Sequence, residues 1–216
     1  MDIARLGRDG LLRYLVRQLD HLVPDERDCA APIDAHLDAA LERLRHCING
    51  VRVWPTERFD YLHSTQYCQF LYYLANTIWR NTGETEVPTK LFLLNKALNG
   101  IDCFYEIALP EVFFIGHSVG IVLAKASYGE HLVLYQNCTV GKNHGVAPVL
   151  EAGVVLYPNS AVIGRSRVRA GTVVAQGTSV LNQDTPGDTL AFGGGNGGRL
   201  VFKPLRVPVL DEIFRR

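Results

Sequence analysis

The sequence predicts an α+β chain, an all-helical first half followed by a parallel β-solenoid. Three observations carry this. The first is a strict six-residue repeat formed by Leu150, Leu156, Val162, Val168, Val174 and Val180. A helix would space its apolar residues three and four apart, and an ordinary strand two apart. A period of six marks a solenoid in which each short, flat strand sends one aliphatic side chain into a stacked interior. The second is the set of residues between those positions: Gly153, Pro158-Asn159, Gly164, Ala170-Gly171 and Gly177. These are residue types that let a chain turn a corner. The third is a change of texture near residue 100, before which apolar residues recur at helical spacing.

In the first half, Leu11, Leu12, Leu15, Val16, Leu19 and Leu22 form one apolar face, ended by Pro24. Ile33, Leu37, Leu41, Leu44 and Ile48 predict a second helix, with Pro32 in its first turn and Asn49-Gly50 closing it. A third helix is expected over 64–80. Its Tyr67, Phe70, Leu71, Tyr73, Leu74, Ile78 and Trp79 put apolar bulk on several sides, which implies burial against neighbouring helices or a partner chain. Residues 82–86 read as a loop. Pro88 opens a fourth helix over 89–98, and Asn99-Gly100 stops it. The chain thus divides into a helical assembly domain over 1–100, a solenoid over 101–205 and a tail over 206–216. Within the tail, residues 207–214 fit a short capping segment.

A second, weaker register precedes the main repeat. Val122, Leu134 and Val140 obey it, with Tyr128 as a bulkier member. From Val140 the next interior residue falls at 146 and then at 152, yet the later run begins at Leu150. Residues are therefore inserted, and the loop-like candidate is 141–148 (GKNHGVAP). A solenoid turn is tight, so an extruded loop there implies a purpose. Asp184, Pro186 and the glycine cluster over 193–198 mark the expected end of the stack.

Composition excludes several function classes. The chain is 47% apolar, with 22 basic and 22 acidic residues. That balance gives no electrostatic reason to expect nucleic acid or an anionic membrane as partner. No apolar run is long enough to span a bilayer, and MDIARLGRDG lacks the apolar segment of a secretion signal. The five cysteines, Cys29, Cys47, Cys68, Cys103 and Cys138, are scattered and show no Cys-x-x-Cys spacing. They read as buried free thiols in a reducing compartment, with no structural metal, and the expected location is the cytoplasm.

Seven histidines are the chemical candidates. His21, His36, His46 and His63 lie in or beside helices and read as ordinary solvated side chains. His144 lies on the inserted loop. His117 sits in a Gly116-His117-Ser118 turn, and Asp102 lies 15 positions earlier, close to one solenoid coil of about 18 residues. A carboxylate on the far imidazole nitrogen fixes the tautomer and stabilises the imidazolium, which makes a competent base for an alcohol.

Residues 102–198 resemble the serine O-acetyltransferase branch of the hexapeptide acyltransferases. The segment IDCFYEIALPEVFFIGHSVGIVL is similar to the family's stretch from catalytic aspartate to catalytic histidine, at the same spacing. LYQNCTVG resembles the strand before its extended loop, and PVLEAGVVLYPNSAVIG the coil after it. LYYLANTIWRN resembles, more weakly, its helical N-terminal domain. The resemblance implies a C-terminal left-handed parallel β-helix and an acetyl-CoA-dependent O-acetyltransferase without a metal. His117 would be the general base and Asp102 would orient it, while a backbone N–H near Gly141 and Lys142 would receive the oxyanion. Gly141, Pro158 and Gln176 would flank the thioester and pantetheine, with Arg199 and Lys203 at the nucleotide phosphates. The family's sites lie between the β-helices of a homotrimer, and its helical domains join two trimers into a hexamer.

The chain departs from that family on the acceptor side. The family's aspartate before the catalytic histidine is Gly116 here, and its Arg-His pair before the proline is Val146-Ala147. An amino acid needs partners for both of its charges. The sequence thus favours a sugar, a polyol or another non-serine hydroxyl over L-serine, with Gly116, Lys142 and His144 on the acceptor side. A non-catalytic β-helix scaffold is the alternative from another class, and the histidine spacing does not suit a three-histidine zinc site.

Overall fold

The computed structural model describes residues 1–25, 27–193 and 199–215. The first half is helical: α1 (Arg8–Leu22), α2 (Ala30–Gly50), α3 (Ser64–Thr82) and α4 (Glu86–Asn99). Each helix forms where its apolar spacing predicts. α3 is the centre of this half, with every residue from 65 to 78 buried. Its Tyr72 and Tyr73 hydroxyls donate to the Ile107 and Glu111 carbonyls, and Asn76 Nδ2 donates to the Tyr105 carbonyl. The aromatic bulk that raised the question of a partner chain is therefore covered by the chain itself. Gly83 and Gly100 end α3 and α4 in the left-handed region, at φ +71 and +64. Gly50 differs: it is still helical, and a Cβ there would stand 2.7 Å from a Val112 methyl, so the glycine provides close approach rather than a left-handed cap.

The second half is a parallel β-solenoid with three faces. One face stacks Phe113–Ile115, Leu132–Leu134, Val155–Leu156, Val173–Val174 and Thr189–Gly193. The second stacks Asp102–Cys103, Val122–Leu123, Thr139–Gly141, Ala161–Ile163 and Ser179–Leu181, and the third Ser127–Tyr128, Val149–Leu150 and Arg167–Val168. The interior rows are Ile115, Leu134, Leu156 and Val174 on the first face, and Cys103, Leu123, Val140, Val162 and Val180 on the second. All are at most 5% exposed. The six-residue repeat is thus a direct image of the stack. Leu200–Pro204 then pairs antiparallel with Thr189–Gly193 and ends the first face. Of the glycine cluster between those strands, residues 194–198 lie outside the described residues.

One expected register position changes. Leu123, not Val122, pairs with Val140 and points inward; it is 4% exposed while Val122 is 44% exposed. Eight residues separate the interior Ile115 from Leu123, where the later coils use six. The two additional residues sit in the turn that carries His117. The second irregularity is where the broken repeat predicts it. Gly141 leads into a tight hairpin in which Asn143 and Val146 exchange both backbone hydrogen bonds at 3.0 Å, with His144 and Gly145 at positive φ. Those φ signs are what a two-residue turn of this twist requires.

The C-terminal residues fold back over the first face. Val133, Val155 and Val173 point outward there, yet each is at most 2% exposed. Leu205, Val209 and Leu210 pack against the core, and a short helix α5 (Val209–Ile213) follows. The Phe214 ring is fully buried, edge-on to His131 at 4.9 Å. Phe214 also bridges Val51, and the Arg215 guanidinium donates to the carbonyls of Asn49, Val51, Arg52 and Trp54 at 2.5–3.2 Å. Those carbonyls belong to the end of α2 and the turn after it, which lack helical partners.

All five cysteines are free and buried. Burial pushes the thiols of Cys47, Cys68 and Cys138 up, to about 11, 12 and 12. A thiol-disulfide reagent at pH 8 is therefore expected to titrate almost no thiol in the native protein and five after denaturation. Rapid native labelling of several thiols would contradict this core.

Candidate active site

His117 occupies a turn that is fixed on every side except its own. The Gly116 N–H donates to the Leu134 carbonyl and the Gly120 N–H to the Gly100 carbonyl, at 2.8 and 3.0 Å. The Asn137 N–H donates to the Val119 carbonyl at 2.9 Å. The buried Ser118 hydroxyl donates to the Asn99 carbonyl at 2.7 Å, tying the turn to the end of α4. The His117 side chain itself is exposed, and it has no hydrogen bond among the described residues. A rigid backbone thus presents a free imidazole at the corner between the first and second faces.

The expected stacking of Asp102 with His117 does not form through the coil. The coil from Cys103 to Leu123 spans 20 residues because of the enlarged turn, so Asp102 lies beneath Val122. Its carboxylate accepts from Lys96 Nζ at 2.6 Å, and no hydrogen bond links it to His117. Lys96 comes from the last turn of α4 and was not singled out by the sequence.

The remaining candidates fall into three places. Pro158 and Gln176 share the corner of His117, joined up the stack by Asn159 N–H to the Gln136 carbonyl and Gly177 N–H to the Pro158 carbonyl, at 3.1 and 3.0 Å. Gly141, Lys142 and His144 lie at the opposite edge of the second face, about 13 Å of strand away. Lys142 and His144 are exposed. Arg199 and Lys203 lie on the terminal hairpin, both exposed, with Lys203 Nζ 4.9 Å from the centroid of the Phe192 ring. A single chain therefore presents the base on one edge of a face and the loop on the other. Between them the face is apolar and open: Val119, Val122 and Leu181 are 64%, 44% and 55% exposed.

Tyr135 is a further residue at this corner. Its ring lies over Gly116, where an added Cβ would stand 2.5 Å from both Cδ1 and Cε1. It stacks on Tyr157 with centroids 5.4 Å apart and planes at 24°. Position 135 directly follows the interior Leu134, which was the available signal. Among the described residues no group of three or more His, Cys, Asp or Glu is placed to hold a metal ion. No described helix is long and apolar enough to cross a membrane.

No family model matches the chain. A serine acetyltransferase of Synechococcus elongatus is 28% identical over 135 residues, 58% of this chain and 53% of that protein. The chain thus spans about half the length of this curated relative. The whole architecture matches the crystal structure of Neisseria gonorrhoeae serine acetyltransferase, with a TM-score of 0.72 at 14% identity over 94% of this chain and 82% of that one. The chain has the fold of that serine acetyltransferase, a helical half followed by a parallel β-solenoid. The serine acetyltransferase of Brucella abortus agrees, with a TM-score of 0.70 at 17% identity over 91% and 83% of the two chains. The sequence favoured a sugar or polyol acceptor, whereas these similar proteins are serine acetyltransferases.

Proposed function

We propose that the chain is an acetyl-CoA-dependent O-acetyltransferase with His117 as its general base. The observation that carries this is the exposed, unbonded imidazole on a rigid solenoid corner. His117 takes the acceptor hydroxyl proton as the oxygen attacks the thioester carbonyl. The new C–O bond forms, the C–S bond breaks, and the proton passes to the CoA thiolate. A backbone N–H near Gly141 and Lys142 stabilises the oxyanion, as donors aimed at developing charge do. Pro158 and Gln176 flank the pantetheine arm, and Arg199 and Lys203 meet the phosphates.

The base and the loop lie on opposite edges of one face, so a site containing both needs a second copy. The exposed Val119, Val122 and Leu181 supply an apolar surface for it. This supports a homotrimer, with Asp102 turning from Lys96 to His117 when the site is complete. The named relatives favour L-serine as acceptor. The ring of Tyr135 over Gly116 favours the second reading, a neutral hydroxyl compound. Acetyl-CoA incubated with L-serine, homoserine and nucleotide sugars is expected to release CoA thiol with one class. No release with any acceptor, at a protein concentration where sedimentation shows the trimer, would refute the enzyme reading.

A further inference from the structure

We infer that Lys90 and Cys29 form a covalent modification site, at which hydrogen peroxide joins the two side chains through a sulfur–nitrogen bond. Lys90 Nζ stands 3.6 Å from Cys29 Sγ. Both residues are buried, at 5% and 4% exposure. A lysine is almost never buried so deeply without a partner. Its partners here are this thiol and the Asp25 carboxylate, the latter at 2.5 Å. The three groups come from separate elements. Asp25 lies in the connection between α1 and α2, Cys29 is the N-cap of α2, and Lys90 lies in the first half of α4. Arg27 pairs with Glu86 of α4 and holds the same connection to the same helix. None of these residues belongs to the site around His117, so the bridge and the acetyltransferase reading stand or fall separately.

The thiolate, not the thiol, attacks peroxide. Burial raises the Cys29 thiol above its ordinary range, and the Lys90 ammonium opposes that rise. Cys29 also stands at the N-terminal end of a 21-residue helix whose first turn holds no acid, where the helix dipole favours a negative charge. The thiolate is thus a minor form that excess peroxide draws off. Its sulfur takes one peroxide oxygen and is oxidised to a sulfenic acid, while the O–O bond breaks and the other oxygen leaves as water with the proton the thiol gave up. The Lys90 nitrogen then attacks that sulfur. The N–S bond forms, the S–O bond breaks, and the hydroxyl leaves as a second water. Lys90 starts as an ammonium: one of its protons goes to the departing water and one passes through Asp25 to solvent. A sulfenic acid without a neighbour goes on to sulfinic acid, whereas one with an amine 3.6 Å away is trapped first.

The test is intact-protein mass spectrometry of the folded chain after treatment with excess hydrogen peroxide, followed by peptide mapping without reductant. Wild type is expected to lose about 2 Da, the two hydrogens given up to one N–S bond, and to yield a linked peptide containing Cys29 and Lys90 that a thiol reductant separates. The bridge joins residues 61 apart, so the oxidised protein melts higher by about 5 °C or more and returns on reduction. Cys29→Ser abolishes the mass loss. Lys90→Met leaves the sulfenic acid without its trap, so Cys29 gains about 32 Da as sulfinic acid instead. Wild-type protein oxidised in denaturant forms no such link, which tests the geometry without any substitution. A folded wild type that gains about 32 Da at Cys29 and gives no linked peptide overturns the inference. So does a link that forms equally well in the denatured chain.

Discussion

Replacing His117 with alanine is expected to lower kcat by about a hundred- to ten-thousandfold while leaving acetyl-CoA affinity within about twofold. The magnitude follows from the role proposed for the imidazole. An aliphatic hydroxyl is a poor nucleophile at neutral pH, and a positioned base removes its proton only as the C–O bond forms. The turn holds the His117 backbone through Gly116, Ser118 and Gly120, so the substitution removes a group from a scaffold that does not depend on it. The exposed ring has no hydrogen bond among the described residues, and the melting temperature should hardly move. Stopped-time assay of CoA thiol, with calorimetry for the cofactor, separates chemistry from binding. Near-normal turnover would mean that another group is the base.

Phe214→Ala is expected to be the most damaging single change to stability, at about 3–5 kcal/mol. Its ring is fully buried and edge-on to His131, while its backbone bridges Val51 of the helical half. For a chain of this size each kcal/mol moves the melting temperature by about 2–4 °C. Arg215→Ala leaves the Trp54 carbonyl without its donor and removes one of two donors from Val51, at about 1–3 kcal/mol. Differential scanning calorimetry reads both. A Phe214→Ala variant that melts within a degree of wild type would show that the C-terminal residues do not hold the halves together.

The solenoid was legible because its interior has one physical demand, an aliphatic side chain at each pass, and Leu150 to Val180 meet it without interruption. The hairpin was legible for the converse reason, since a repeat that fails to rejoin must contain extra residues. The enlarged turn at His117 was not. Val122 and Leu123 are both aliphatic, so a shift by one leaves no trace in an apolar pattern, although it sends each side chain to the opposite side. The same shift removed the basis for stacking Asp102 beneath His117, since the spacing of 15 was compared with a coil of about 18 and the coil there has 20. Tyr135 was hidden because its importance lies in what its ring denies to Gly116, a relation between two coils. The C-terminal segment was the least legible. VPVLDEIF is apolar enough to cover any face, and nothing local says which.

The grip of Arg215 on the end of α2 joins residues more than 160 positions apart. Closing so long a loop costs chain entropy that only the finished solenoid offsets. The helical half therefore acquires its last carbonyl partners only after every coil has been laid down. Denaturant unfolding should accordingly remove helix and solenoid in one cooperative step, with the helical half unable to persist as an independent intermediate.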